Sequence, residues 1–343
     1  MADDMTPDPP SVLQLVIDYP AAQIVHVAVQ LDLADLLGNG PRSVADLVAA
    51  TGAHAPALAR LLRALAALGI VVQGADGRIA LTPRGEALRR DAPGSVRDQV
   101  LFLAGDWFWR SWGELLYSVR TGQPAFDRVF GMSNFAYWAH HPAAGAIHDA
   151  AFVQMAQAST APLIGAYDFS RFATLVDVGG STGPLLAAIL AAYPGVRGIL
   201  FDLPHVVAGA APILGAAGVA DRCATVGGSF FDAVPAGGDA YILKYIIHDW
   251  DDERATAILR RCHAAMVPGA TLLLIEQVLP ERLEAGPGVQ RGARLDLQML
   301  VLTPGGRERT EREFRALLVD AGFELRRLVP TASPFQILEA VAG

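Results

Sequence analysis

From about residue 170 onward the chain alternates short apolar, β-rich runs with helical stretches, and nothing else in the sequence constrains its fold as tightly. The runs are 173–178 (ATLVDV), 197–203 (RGILFDL), 240–247 (AYILKYII), 270–276 (ATLLLIE), 323–330 (FELRRLVP) and 335–342 (FQILEAVA). Helical stretches such as 251–266 and 311–322 lie between them. Strands joined through helices become parallel neighbours, so the pattern predicts an α/β fold with a doubly wound, mostly parallel sheet. Only Thr331 to Pro334 separate the last two runs. A gap that short admits a hairpin but no helical crossover, so one terminal strand should be antiparallel.

The first run leads into LVDVGGSTGPL, a strand-to-helix turn holding Asp177, Gly179, Gly180 and Gly183. Glycines let the backbone turn sharply and approach a ligand closely. The order G-G-S-T-G does not match the dinucleotide pattern G-x-G-x-x-G. Asp177 sits at the strand end, where an ammonium group can be recognised. Asp202 ends the second run, where an acid can accept both ribose hydroxyls. The competing reading of Asp202 is an N-cap for the PHVV segment. Together the loop and the acid indicate a nucleoside-like ligand without saying which one.

The stretch KYIIHDWDDE (244–253) poses a second question. His248 is either a proton-transfer residue or a polar residue marking a strand end. Asp251 and Asp252 read as acids favoured by the dipole of the next helix. Lys244 is the single lysine among 27 basic residues.

Before residue 170 the organisation changes. Residues 43–53 and 55–72 read as helices, the first capped by Ser43 and ending near Gly52, the second with Pro56 in its first turn. VVQGADGRIALT then reads as strand, turn, strand. Helix, helix and two-stranded wing is the winged-helix order. Seven arginines against six acids between Ser11 and Arg90 make no basic patch. Helix 55–69 carries only Arg60 and Arg63 and is apolar on most faces, so dimerisation is favoured over DNA binding. Residues 95–165 are helical and hold four of the five tryptophans: Trp107, Trp109, Trp112 and Trp138. They serve as a helical core, as a wall for an aromatic ligand, or as both. The expected division is a winged-helix-like dimerisation domain at 1–95, a helical connector contributing to an acceptor pocket at 96–165, and a cofactor-binding domain at 166–343.

Composition excludes several classes. A net charge of −8 and a pI near 5.5 give no general attraction for nucleic acid or anionic membrane. Cys223 and Cys262 have no metal-ligand spacing, and His140, His141 and His148 have no accompanying ligand pattern, so no metal is expected. The start, MADDMTPDPP, reads as a loose acidic tail, not a signal peptide. No uninterrupted apolar run of about 18 residues appears. A cytoplasmic location is the expectation.

The six segments LVDVGGSTG, LFDLPHV, VGGSFF, LKYIIHDWDDE, LLLIEQVLPE and LDLQMLVLTPGGRERTEREF occur in that order. Together they resemble the S-adenosylmethionine-dependent O-methyltransferases, in the branch of plant caffeic acid O-methyltransferase and the bacterial polyketide and antibiotic enzymes. The resemblance covers nearly the whole chain. It implies a Rossmann-like methyltransferase domain, a winged-helix dimerisation domain and a homodimer. It sets Gly179 to Gly183 against the methionine part of the cofactor, Asp202 on its ribose, Phe230 beside its adenine and Lys244 in contact with it. Ser229 stands where the family usually has an aspartate for the adenine amine. His248 matches the general base, flanked by Glu276 and Glu308, with Glu276 expected to orient the imidazole and Glu308 able to do so from another side. Asp249 follows the histidine as in the family pattern, Met299 matches a residue packing on the aromatic acceptor, and Thr303 replaces a frequent asparagine. Trp107 belongs to the expected acceptor wall. The implied activity is methyl transfer to an aromatic hydroxyl. N- or C-methylation, or a non-methylating use of the cofactor, are the alternatives.

Overall fold

The computed structural model describes residues 12–343; the acidic segment MADDMTPDPP lies outside the described residues. The described chain forms two compact units. One comprises the chain up to Trp109 together with Pro142–Gln154, the other Arg110–His141 with Met155–Gly343. The stretch 96–165 is therefore shared between them.

In the first unit, helix Val44–Thr51 begins at Ser43, whose hydroxyl and the Asp46 carboxylate form a reciprocal capping box, and ends at Gly52 with φ +67°. Helix Ala55–Ala67 follows with proline in its first turn. Strands β1 (Val71–Gln73) and β2 (Ile79–Leu81) pair antiparallel as the wing. Leu47, Leu58, Leu62 and Leu65 bury one stripe into a core shared with Val29 and Leu37. Val12–Gln30 is apolar enough and long enough to span a bilayer, with mean hydropathy 1.5. A turn at Asp18–Pro20 breaks it into helices Val12–Ile17 and Ala21–Gln30, and the second buries His26, Ala28 and Val29.

The second unit is built on a seven-stranded sheet. Its strands are β3 (Thr174–Val178), β4 (Arg197–Asp202), β5 (Cys223–Gly227), β6 (Ala240–Lys244), β7 (Thr271–Glu276), β10 (Phe323–Pro330) and β11 (Gln336–Ala342). A small parallel pair, β8 (Val278–Leu279) with β9 (Arg309–Thr310), stands apart from it. The sheet order is β10-β11-β7-β6-β3-β4-β5. Only β11 runs against the rest, in the hairpin that the short 331–334 gap required. It lies between β7 and β10, not at the sheet edge.

Strand alternation divides the core in two. Val176, Val178, Leu243, Leu272 and Leu274 face a cluster with Ile258, Leu259, Phe314 and Leu318 from helices Asp252–Ala265 and Glu311–Asp320. Leu175, Ile242, Leu273 and Ile275 face a second cluster with Leu186 and Leu190 of helix Pro184–Ala192. Central strands buried on both faces read as nearly continuous apolar runs, which is why they were visible in the sequence.

The run 240–247 is corrected by the structure. Strand β6 stops at Lys244, Tyr245 takes a left-handed φ of +56°, and Ile247–Asp249 form a 3-10 turn. The reason is polar. The buried Glu276 carboxylate draws the Ile246 and Ile247 N–H groups out of any ladder.

Candidate functional site

Strands β3, β4, β6 and β7 are parallel, so their ends, Val178, Asp202, Lys244 and Glu276, share one edge of the sheet. Chain order reverses beside β3, with β4 and β5 on one side and β6 and β7 on the other. A doubly wound sheet opens its ligand crevice at such a point.

One side of this edge is made of glycine. Gly179 and Gly183 have φ of +72° and +86°. A Cβ at Gly180 would lie 2.5 Å from the Leu200 side chain and 2.6 Å from the Asp177 carboxylate. The loop thus lies directly on the strand ends. Asp177 is 2% exposed, and its Oδ2 has no hydrogen-bond partner. Burial pushes its carboxyl up to about 7, opposed by the nearby Lys244 charge. An unsatisfied buried carboxylate oxygen suits a cationic donor such as an ammonium. Lys244 is itself pushed down to about 8 by burial, against the pull of Asp177 and Glu276, and its Nζ lies 5.3 Å from the Phe335 ring centroid.

Asp202 accepts the Ser181 N–H at 2.8 Å and the Leu203 N–H at 2.7 Å. The N-cap of the short helix Pro204–Val207 is Leu203, without a side-chain cap, so Asp202 stands one residue before the cap and not at it. Ser229 accepts the Phe231 N–H at 3.2 Å. Phe230 packs edge-on against Phe231 and Trp250 and lies 3.7 Å from a Cβ built on Gly179. A glycine cradle, an orphan acid, a strand-end acid and an aromatic face are the features a nucleoside-bearing cation requires, and the residues present fit S-adenosylmethionine.

The other side is polar and buried. His248 is 6% exposed, and its Nδ1 lies 2.7 Å from Oε1 of Glu308, whose side chain is fully enclosed. Asp249 Oδ1 lies 3.5 Å from Nε2. The Tyr245 ring stacks on the imidazole, centroids 4.4 Å apart and 14° from parallel. Burial pushes the imidazole pKa down. Asp249, the Glu308 hydrogen bond and the charges of Glu276 and Glu308 outweigh burial, and the net is upward, to about 9.

The two glutamates divide differently from expectation. Glu308 carries the hydrogen bond to His248, while Oε1 of Glu276 accepts the Ile246 and Ile247 N–H groups at 3.2 and 2.9 Å. Glu276 thus shapes the turn on which His248 rides. Burial, opposed by the His248 charge, pushes its carboxyl up to about 7. Oε2 of each glutamate lacks a partner, and the three side chains offer ligand-type atoms within 4.8 Å of one another.

Other expected residues are placed less tightly. Met299 and Thr303 are buried at the end of helix Pro287–Leu302, where the Thr303 hydroxyl donates to the Met299 carbonyl at 2.8 Å. Trp107 belongs to the first unit, where its indole N–H donates to the Phe102 carbonyl at 2.7 Å. His140 and His141 each bond a carbonyl of their own helix through Nδ1.

Several contributors escaped the sequence reading. Arg309 is fully buried and bonds Asp252 and the carbonyls of Ile247 and Trp250. Asp296 accepts the Glu308 N–H at 2.9 Å. A Cβ on Gly306 would fall on the Thr303 hydroxyl and within 2.9 Å of the His248 and Asp249 carbonyls, so the loop before Glu308 packs flat on the histidine turn. The available signal was GGRER itself, of which only the glutamate was singled out.

Fold and site together define a nucleoside-cofactor enzyme with a buried histidine–carboxylate pair next to the cofactor edge. The O-methyltransferase domain family matches residues 112–324, and the O-methyltransferase dimerisation domain family matches 13–91. The phenazine O-methyltransferase PhzM of Lysobacter antibioticus is 44% identical over 328 residues, 96% of this chain and 94% of the relative. The O-demethylpuromycin-O-methyltransferase of Streptomyces alboniger is 42% identical, covering 96% and 88%. An O-methyltransferase from neocarzinostatin biosynthesis, solved with S-adenosylmethionine and 2-hydroxy-5-methyl naphthoic acid, matches with TM-score 0.83 and 34% identity over 98% of this chain and 100% of that one. The chain belongs to the S-adenosylmethionine-dependent O-methyltransferase family.

Proposed function

We propose that this enzyme methylates a hydroxyl of an aromatic small molecule in secondary metabolism, with His248 as general base. The observation that carries the reading is the 2.7 Å contact between His248 Nδ1 and the enclosed Glu308 carboxylate. In the neutral imidazole that bond holds Nδ1 protonated, so Nε2 is the atom that accepts the proton; because the neighbouring acids push the pKa up to about 9, this neutral form grows as pH rises toward that value. A phenol has a pKa near 10 and is mostly protonated at neutral pH, so a placed base assists its attack. The cofactor supplies an activated methyl group. The protein's own part is alignment, exclusion of water and proton removal.

In this reading Asp177 and the loop Gly179–Gly183 hold the methionine part of the cofactor. Asp202 holds the ribose, Ser229 and Phe230 border the adenine, and Lys244 contacts the cofactor from β6. Asp249, Met299 and Thr303 face the acceptor. Residues 1–95 act as the dimerisation domain of a homodimer, 96–165 as the connector and 166–343 as the catalytic domain. The enzyme works in the cytoplasm, without nucleic acid or membrane as partner.

The test is incubation with methyl-labelled S-adenosylmethionine and a panel of phenols, naphthols, hydroxyphenazines and the matching aromatic amines. Label in an aryl ether is the expected product. Label appearing only on nitrogen would replace the hydroxyl acceptor with an amine. Cofactor binding without transfer to any acceptor would favour a non-methylating reaction.

A further inference from the structure

The buried Arg309 and the surface carboxylate of Asp252 form a clamp around the turn that carries His248. Arg309 is 0% exposed. Its Nε and Nη2 reach Asp252 Oδ1 at 3.0 and 2.7 Å, Nη2 reaches the Trp250 carbonyl at 2.8 Å, and Nη1 reaches the Ile247 carbonyl at 3.0 Å and that of Arg307 at 3.4 Å. The guanidinium therefore grips the backbone on both sides of His248 and Asp249. It is also the residue directly after Glu308. A buried arginine without full pairing is strongly unfavourable, so a fork engaged on this many acceptors specifies one arrangement of the groups it joins.

The surrounding backbone points the same way. Val278 and Arg309 are register partners in the β8–β9 pair, which brings the chain just after Glu276 alongside the chain just after Glu308. The Arg307 N–H donates to the His248 carbonyl at 2.8 Å. Apart from the carboxylate of Asp252, whose side chain is exposed, the ties between the 306–309 segment and the 247–252 turn are backbone or buried side chain, and Arg309 is the residue making most of them.

We propose that Arg309, anchored by Asp252, is a positioning residue that locks the segment bearing Glu308 onto the turn bearing His248, so that their hydrogen bond forms in a single geometry. Arg309 touches neither substrate nor cofactor in this role; it acts through the His248–Glu308 pair. The catalytic meaning of that pair rests on the function proposed above, but the positioning itself is testable without turnover.

The test follows the His248 imidazole by long-range ¹H–¹⁵N NMR across pH in the full-length, cofactor-free protein, with H248Q used to assign its signals. The variants are R309K, which keeps charge but loses the fork, and D252A. The Asp252 side chain is 60% exposed, so removing it opens no core cavity. In the wild type the surrounding acids push the imidazole pKa up to about 9, so its midpoint is expected there. In both variants its midpoint should move down toward the ordinary histidine value, with Nδ1 no longer uniquely protonated. A midpoint and tautomer unchanged in D252A and in folded R309K would overturn the clamp. If R309K does not fold, D252A decides alone. Normal turnover by H248A would remove the base assignment while leaving this NMR result to stand or fall separately.

Discussion

The two sides of the sheet edge are built on opposite principles. The cofactor side is made by leaving side chains out: Gly179, Gly180 and Gly183 lay bare backbone on the ends of β3 and β4. The proton side is made by filling space with charge: His248, Glu276, Glu308 and Arg309 pack into the protein interior, with Asp252 anchoring Arg309 from the surface. The difference teaches where tolerance should lie. A glycine cradle fails by steric exclusion, mainly in binding. A buried polar network fails by loss of geometry, mainly in the chemical step.

The largest expected effect breaks the comparison at its centre. His248→Ala should leave cofactor affinity nearly intact and lower turnover by roughly 10²–10⁴, the range for loss of a general base. Calorimetric cofactor binding beside single-turnover rates checks it, and near-wild-type turnover would refute the role. The next effect separates the two glutamates. Glu308→Gln removes the charge that holds the imidazole and should cost about 10²-fold in kcat, by analogy with an acid that fixes a catalytic tautomer. Glu276→Gln keeps an oxygen for the Ile246 and Ile247 N–H groups, so its loss should stay below about tenfold. Equal losses in the two variants would mean that both acids act on the imidazole.

The contrast extends to what could be read from the sequence. The parallel sheet was legible because strands buried on both faces leave continuous apolar runs. The glycine loop was legible because its geometry is local, with all its residues between 177 and 183. The roles of Glu276 and Glu308 were not, because they depend on partners 29 and 60 residues away along the chain. Arg309 was invisible for the same reason: nothing in GGRER distinguishes a surface arginine from one buried against Asp252, which lies 57 residues earlier. The end of β6 was misjudged because Ile246 and Ile247 look like strand residues, and a carboxylate from the next strand decides otherwise.

On the cofactor side the expected effect is smaller and of another kind. Asp202→Ala removes a charged acceptor whose hydrogen bonds are worth about 1.5–3 kcal/mol each, so cofactor affinity should fall roughly 10–100-fold. Turnover at saturating cofactor should change much less. Isothermal titration with S-adenosylmethionine or its demethylated product reads this directly. An unchanged affinity would remove Asp202 from the ribose site, and an equal fall in saturated turnover would blur the division between the two sides.

The smallest effect concerns stability and its dependence on pH. His248 has a folded-state pKa of about 9, above the ordinary 6.5 of the unfolded chain. A group raised in this way takes up its proton more readily when folded, so its contribution to stability is complete below pH 6.5 and is lost as pH rises through about 9. His248→Gln cannot carry that charge. The melting temperature of the variant should therefore lie furthest below that of the wild type near pH 6, and the gap should close between pH 6.5 and 9. A constant gap for His248→Gln would mean that the acids around the imidazole do not hold its proton. The polar side of the site would then be positioned by packing, as the glycine side is.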